Sequence, residues 1–208
     1  MSKEAAQKVD RRVIRGETSK RKIIESATEL FIEYGFRKTT ITMIANHAGI
    51  GYGTAYNHFP NGKEDIFLTI TENVMDQIYD IASKEYTVRS KEEAFSFIQN
   101  NIRSLIEIIN EHKPLATVTY EAIQLSDRVE ERWKEITERL LKRIAQNVEQ
   151  AIEKDLVRNP KFDPDVVASV LFYVTENYLW KIALDETDKD PETIIENIAE
   201  IYANGLYK

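Results

Sequence analysis

No cysteine occurs in this chain, so disulfides, thiolate zinc sites and cysteine nucleophiles are all excluded. Histidine is scarce: His47, His58 and His112 are the three. None follows a carboxylate by three residues, so the Glu-x-x-His pattern of four-helix di-iron proteins is missing. The His-Glu-x-x-His zinc pattern is missing as well. No metal, no cofactor and no nucleophile–base pair is expected, and the chain reads as a non-enzyme. Turn formers are few, with 7 glycines and 5 prolines in 208 residues, which favours long helices over many short strands. No apolar run approaches the ~18 residues of a membrane span. The first residues are polar and carry no apolar signal-peptide core. A soluble, cytoplasmic protein without a membrane partner is the expectation.

What is present is charge, unevenly placed. The net charge of −7 argues by itself against nucleic acid. Residues 1–63, however, hold 11 Lys+Arg against 6 Asp+Glu, and residues 64–208 hold 17 against 29. A basic end joined to an acidic body is a hint of a nucleic-acid-binding end. The alternative is a solvated basic tail.

Helical spacing dominates the chain. Residues 1–17 read as a basic flexible arm, disordered or loosely helical. A first helix is predicted over about 18–34, with Ile23, Ala27, Leu30, Phe31 and Tyr34 on one face. Gly35 then takes the left-handed position that ends a helix. Thr40 is a natural N-cap for a short second helix, which Gly49 stops. Ile50-Gly51-Tyr52-Gly53 leads into a third short helix carrying Thr54, Ala55, Tyr56, Asn57, His58 and Phe59. Two short helices joined by a glycine-containing turn form a helix-turn-helix. Beyond the Pro60-Asn61-Gly62 turn, helices are predicted over about 63–85, 91–111, 114–124 and 126–154. Asp163-Pro164 and Asp190-Pro191 read as an N-cap followed by proline at the first helical position. They open two last helices, about 164–185 and 191–206. The fold class is therefore all-α, with about nine helices.

Residues 18 to about 68 resemble the N-terminal DNA-binding domain of the TetR family of regulators. The resemblance rests on Ala27…Leu30-Phe31…Tyr34-Gly35-Phe36, then Thr39-Thr40-Ile41…Ile44-Ala45…Ala48-Gly49-Ile50, then Gly53-Thr54-Ala55-Tyr56-Asn57-His58-Phe59…Lys63-Glu64…Phe67. The chain departs from the family pattern at Gly51, where a small cap is frequent, and at Ala55, which replaces a frequent leucine. It also carries one extra residue in the turn before Lys63. The resemblance implies a helix-turn-helix domain over 18–68 and a helical ligand-binding and dimerisation domain over 69–208. It further implies a homodimer through the last two helices that binds a pseudo-palindromic double-stranded operator. A small hydrophobic or amphipathic effector would release a repressor of this kind. An activator, or an architectural or partner-binding protein without an inducer, stays open as an alternative.

The residues suit that work. A recognition helix lies in the major groove with its first residues at base edges. Tyr52 offers a hydroxyl and an aromatic face there, and Gly53 lets the backbone approach closely. Thr54, Tyr56 and His58 match family positions that hold phosphates, and Asn57 suits a base or a phosphate. Thr40 and Thr42 at the start of the preceding helix, and Lys63 at the start of the next, are further phosphate candidates. Arg11, Arg12, Arg15, Lys20, Arg21 and Lys22 form a basic run that either follows the DNA backbone or stays solvated. Ile44, Ala45, Ile50, Ala55 and Phe59 read as core.

In the body, the helix at 164–185 is apolar around most of its circumference, so it has two sides to bury. A partner subunit is the simplest second side. Ile194, Ile195, Ile198, Ile201, Tyr202 and Leu206 form a stripe on the final helix. Phe97, Tyr120, Trp133, Phe172, Tyr173 and Tyr178 are aromatic candidates for a ligand cavity. Glu176 and Asn177, with Thr175, interrupt an apolar helix. They either meet a ligand, lie on a solvated strip or bond across a dimer.

Overall fold

Caps set where the helices of this chain begin. The computed structural model describes the backbone of residues 3–83 and 89–208, and the side chains of 16–81, 83 and 89–208. Among these residues there are nine α-helices and no strand, with one isolated bridge between Val157 and Tyr207. α1 (Lys3–Lys38), α2 (Ile41–His47), α3 (Tyr52–His58) and α4 (Lys63–Ala82) come first. α5 (Lys91–Glu111), α6 (Lys113–Leu125), α7 (Asp127–Glu153), α8 (Pro164–Ala183) and α9 (Pro191–Leu206) follow. None of them is long and apolar enough to cross a membrane.

Thr40 caps α2, its hydroxyl accepting from Met43 N at 3.2 Å. Ser90 caps α5 through Glu93 N, and Ser126 caps α7 through Val129 N. Asp163 accepts from Asp165 N and Val166 N, with Pro164 opening α8. Asp190 accepts from Thr193 N ahead of Pro191 and α9. Each such cap satisfies donors that a helix start leaves open. Gly51, which has no side chain to offer, leaves α3 without that bond.

Two sequence expectations change. α1 starts at Lys3, ahead of the predicted start near 18, because no proline interrupts residues 3–17. The side chains of Arg11, Arg12 and Arg15 lie outside the described residues, and so does Glu85, the predicted end of α4. Tyr34, placed by periodicity on the buried face of α1, is 43% exposed. It sits just before Gly35, whose φ of +79° breaks the helix and swings the following turn away.

Two cores result. The first joins Ile23, Ala27, Leu30, Phe31 and Phe36 of α1 to Ile44 and Ala45 of α2, Ala55 of α3, and Ile66 and Phe67 of α4. It extends to Val118 and Ala122 of α6 and Val129 of α7, so the helix-turn-helix is seated on two helices of the body. At its centre Phe31, Phe36 and Phe67 meet pairwise at 5.1–5.7 Å, one pair stacked and two edge-on. Such rings add about 0.5–1.5 kcal/mol per pair beyond burial. The second core is an aliphatic seam. Ile98, Ile102 and Ile106 of α5 face Ile194, Ile195 and Ile198 of α9.

Candidate nucleic-acid interface and interior cavity

Within the helix-turn-helix, burial divides neighbouring residues sharply. Ile44, Ala45, Ala55 and Phe59 are buried, as their apolar character required, and Ile50 packs partly against them. Thr40, Thr42, Tyr52, Gly53, Thr54, Tyr56 and Asn57 are exposed. Gly49, at φ +65°, makes the turn between α2 and α3. A Cβ on Gly53 would meet nothing within 4 Å, so this turn of α3 is open to close approach. The rings of Tyr52 and Tyr56 lie 4.8 Å apart, and a hydrogen bond between their hydroxyls raises the Tyr52 phenol above its ordinary value. The turn of helix separating them puts both on one face.

Two expected contacts sit differently. His58 is half-buried, with its ring edge near Gly16 of α1, so it serves packing as well as surface. Lys63 turns inward. Its Nζ donates to the carbonyl of Phe36 at 2.6 Å and lies 4.3 Å from the Phe36 ring. Burial lowers its pKa, with Glu121 and Glu64 opposing that shift. The carbonyls past the Gly35 break have lost helical partners, and the lysine supplies one. Lys20, Arg21, Lys22, Arg37 and Lys38 remain exposed on α1.

The same break is held from the body. Glu121 of α6 accepts from Phe36 N at 2.8 Å and from Arg37 N at 3.4 Å. Near the start of α4, Ser126 donates to Glu64 at 2.8 Å and Arg128 to Asp65 at 2.7 Å. Helices α6 and α7 therefore grip the helix-turn-helix unit at two points.

Between α4 and α9 the body encloses a cavity of ≈ 150 Å³. Its wall is mostly apolar, as binding cavities are. Of the eight residues the sequence offered for it, Phe97, Trp133, Phe172 and Glu176 line it. Tyr120, Tyr173, Asn177 and Tyr178 do not. Tyr173 and Asn177 are exposed because successive α8 residues rotate by ~100°, carrying them to the outer side. Tyr120 is partly exposed and packs on Trp180 at 5.3 Å. Tyr178 packs against the α5–α9 core with Lys181 over its ring.

The three-residue polar interruption of α8 splits three ways. Thr175 is buried in the cavity wall, Glu176 is half-buried and accepts from Trp133 Nε1 at 3.0 Å, and Asn177 faces outward. Burial raises the Glu176 pKa against the indole N–H bonds of Trp133 and Trp180, which favour its ionised form. Thr137, Asn147 and Trp180 also line the cavity, and sequence reading missed them. Spacing held the signal for two: Thr137 stands four residues after Trp133 on α7, and Trp180 four after Glu176 on α8. The side-chain oxygens of Thr137, Asn147 and Thr175 are buried without a hydrogen-bond partner. Among the described residues, no group of three or more His, Asp or Glu is placed to hold a metal ion.

Residues 23–70 match the model of the tetR family of bacterial regulatory proteins. The uncharacterized HTH-type transcriptional regulator YhgD of Bacillus subtilis is 25% identical over 189 residues, covering 88% of this chain and 93% of its own length. The fatty acid metabolism regulator protein of the same organism is 22% identical over 186 residues, 89% of this chain and 94% of its own. The solved fatty acid degradation regulator FadR of Bacillus halodurans has the same fold, at a TM-score of 0.67 and 18% identity over 88% of this chain and 93% of that one. With their exposed α2–α3 face and that matched motif, residues 23–70 form a helix-turn-helix DNA-binding domain of the tetR family, and the chain as a whole is similar to transcriptional regulators that carry one.

Proposed function

We propose that the chain is a dimeric repressor that leaves a pseudo-palindromic operator when a small amphipathic molecule fills the cavity. The exposure pattern of α2 and α3 carries this reading: polar and aromatic residues outside, aliphatic residues inside. Tyr52, Gly53 and Asn57 read base edges from the major groove. Thr40, Thr42, Thr54, Tyr56 and His58 hold phosphates. Lys63 shapes the end of α1, and the exposed lysines and arginines of α1 supply the flanking charge. The functional division is an arm over 1–17, a DNA-binding domain over 18–68 and an effector and dimer domain over 69–208. The protein works where the chromosome is, in the cytoplasm, and has no catalytic role.

Dimerisation is supported by an uncovered apolar face. Val166, Val170, Tyr173 and Val174 of α8 are exposed at helical spacing, and Ile201 of α9 is 72% exposed despite its place in an apolar stripe. A continuous face of this kind marks an interface. The isologous pairing of two copies sets two recognition helices about one DNA turn or a multiple apart.

Release is supported by the cavity wall. Thr71, Val74, Met75 and Ile78 of α4 contribute to it, and α4 runs out of the DNA-binding unit. A ligand that fits better when α4 is displaced shifts the population away from the DNA-competent spacing. The relatives named for fatty acid metabolism support a ligand with a large apolar part.

Selection of duplexes from a random pool tests the reading. A pseudo-palindrome is expected, bound with a steep salt dependence. Tyr56→Phe is expected to weaken it by roughly tenfold, the value of one hydroxyl contact. Val170→Glu is expected to give a monomer by sedimentation and to lose operator affinity. Sequence-blind binding by a dimer would sink the proposal.

A further inference from the structure

The cavity wall carries a charge pattern that bears on what fills it. Of the residues lining it, Glu176 alone bears a carboxylate, and no lysine or arginine is among them. Among the described residues no lysine or arginine pairs with Glu176. Its hydrogen-bond neighbours are indole N–H groups. Beside it stands a run of aromatic rings: Trp133 lies 5.2 Å from Trp180, and Tyr120 5.3 Å from Trp180 on the far side. Phe172 completes the wall there. Thr175, the residue before Glu176 on α8, lines the cavity with a buried hydroxyl that has no partner, and so does Thr137, four residues along α7 from Trp133. A mostly apolar cavity thus holds a half-buried carboxylate, electron-rich rings and unused hydroxyls on α7 and α8.

Resting on the reading of this cavity as the effector site, we propose that the effector is an amphipathic cation, an amine or ammonium head on an apolar body, with its head at Glu176. A buried charge needs a counter-charge, and a ligand cation supplies it. Aromatic rings around the same spot favour a cation further. An ammonium N–H donates to the open oxygens of Thr137 and Thr175, which accept at no cost to their own bonding. The apolar body lies along Ile136, Leu140 and Ile144 of α7. A carboxylate head, as on a free fatty acid, would meet Glu176 as a like charge with no lysine or arginine in the wall to offset it, His112 being the one basic side chain among the lining residues. Glu176 thus sets the head group this cavity takes, while its apolar wall takes the body.

The test is a matched series of octylammonium, octanol and octanoate titrated into the full-length dimer at neutral pH. The chain has two tryptophans, and both line the cavity beside Glu176, so intrinsic fluorescence reports occupancy directly. Calorimetry gives the affinities, and the same additions to the operator complex report release. Octylammonium is expected to bind at least tenfold more tightly than octanoate and to be the best of the three at releasing DNA. Glu176→Gln is expected to cut octylammonium binding about tenfold and to leave octanol within about twofold. Octanol or octanoate binding as tightly as octylammonium would overturn the cation assignment and leave the effector cavity standing. No fluorescence change with any of the three, up to millimolar concentration, would overturn both. The ranking in the unmodified protein decides the matter even where the variant folds poorly.

Discussion

Two interiors in one chain are built to different standards. Around Phe31, Phe36 and Phe67 the space is filled, and the buried hydroxyl of Thr39 donates to the carbonyls of Leu30 and Gly35 at 3.1 and 2.8 Å. Around Trp133 and Glu176 a cavity persists, and Thr137, Asn147 and Thr175 hold buried oxygens that bond to nothing in the chain. Each unsatisfied buried group costs roughly 1–3 kcal/mol, so the second interior gives up stability that the first keeps. The first interior must present α3 in one orientation. Under the proposed function, the second accepts a guest and moves. Dense packing behind α3 and open space beside Glu176 are thus complementary, and α4, α6 and α7 touch both regions.

The largest effect is expected at the aromatic centre. Phe67→Ala removes a fully buried ring that two others contact edge-on. A cost of ~3–5 kcal/mol follows from truncation of this kind. For a chain of this size that lowers the Tm by about 10 °C or more. A thermal melt showing less than half of that shift would mean that the DNA-binding unit is as loosely packed as the body.

The next is Gly35→Ala, which attacks the junction between the regions. At φ +79° an alanine is strained, and its Cβ would stand 2.8 Å from the Glu121 carboxylate. About 2 kcal/mol of destabilisation is expected from the backbone alone. Displacement of Glu121 would also free the amide groups of Phe36 and Arg37 that it holds. Operator affinity should therefore fall along with stability. A variant that melts early yet binds DNA normally would show that α6 only supports the fold.

A paired experiment then sets the two interiors against each other with one chemical change. Thr39→Val deletes a hydroxyl with two good acceptors and is expected to cost about 1–2 kcal/mol. Thr175→Val deletes one with none and is expected to be neutral or to stabilise by up to about 1 kcal/mol. Chemical denaturation of both variants reads the difference. Equal losses would contradict the contrast drawn above.

The same division explains what was legible in the sequence. Local rules operate at helix ends, so Thr40, Asp163 and Asp190 announced themselves by type and position. The helix-turn-helix is short and locally determined, and its buried and exposed residues separate by chemistry alone. Lys63 misled because its charge speaks for a phosphate, while its actual partner, the Phe36 carbonyl, lies 27 residues away and is freed only by the Gly35 break. In α8 the apolar character continues around the helix, so periodicity could not say which side faces the cavity and which faces outward. Tyr173 and Phe172 are alike as residues, and only the packing of α7 against α8 separates them.

The smallest expected effect is also the most specific to the second interior. Burial raises the Glu176 pKa, so in the folded apoprotein its neutral form is favoured relative to the unfolded chain. A raised carboxyl contributes fully below its unfolded value, and that contribution is lost as pH rises through the folded value. At neutral pH the ionised Glu176 is thus a liability, softened by its partial exposure and its indole donors. Glu176→Gln keeps the shape and removes the titration. The Tm of this variant relative to the unmodified protein should rise as pH goes from 4 to 8, and the two should converge at the acid end. With a saturating cationic ligand the order should invert, because the carboxylate then has its counter-charge and glutamine offers none. A Tm difference that stays flat with pH in the apoprotein would mean that solvent already satisfies Glu176, and the cavity would lose the one feature that gives it a preference for charge.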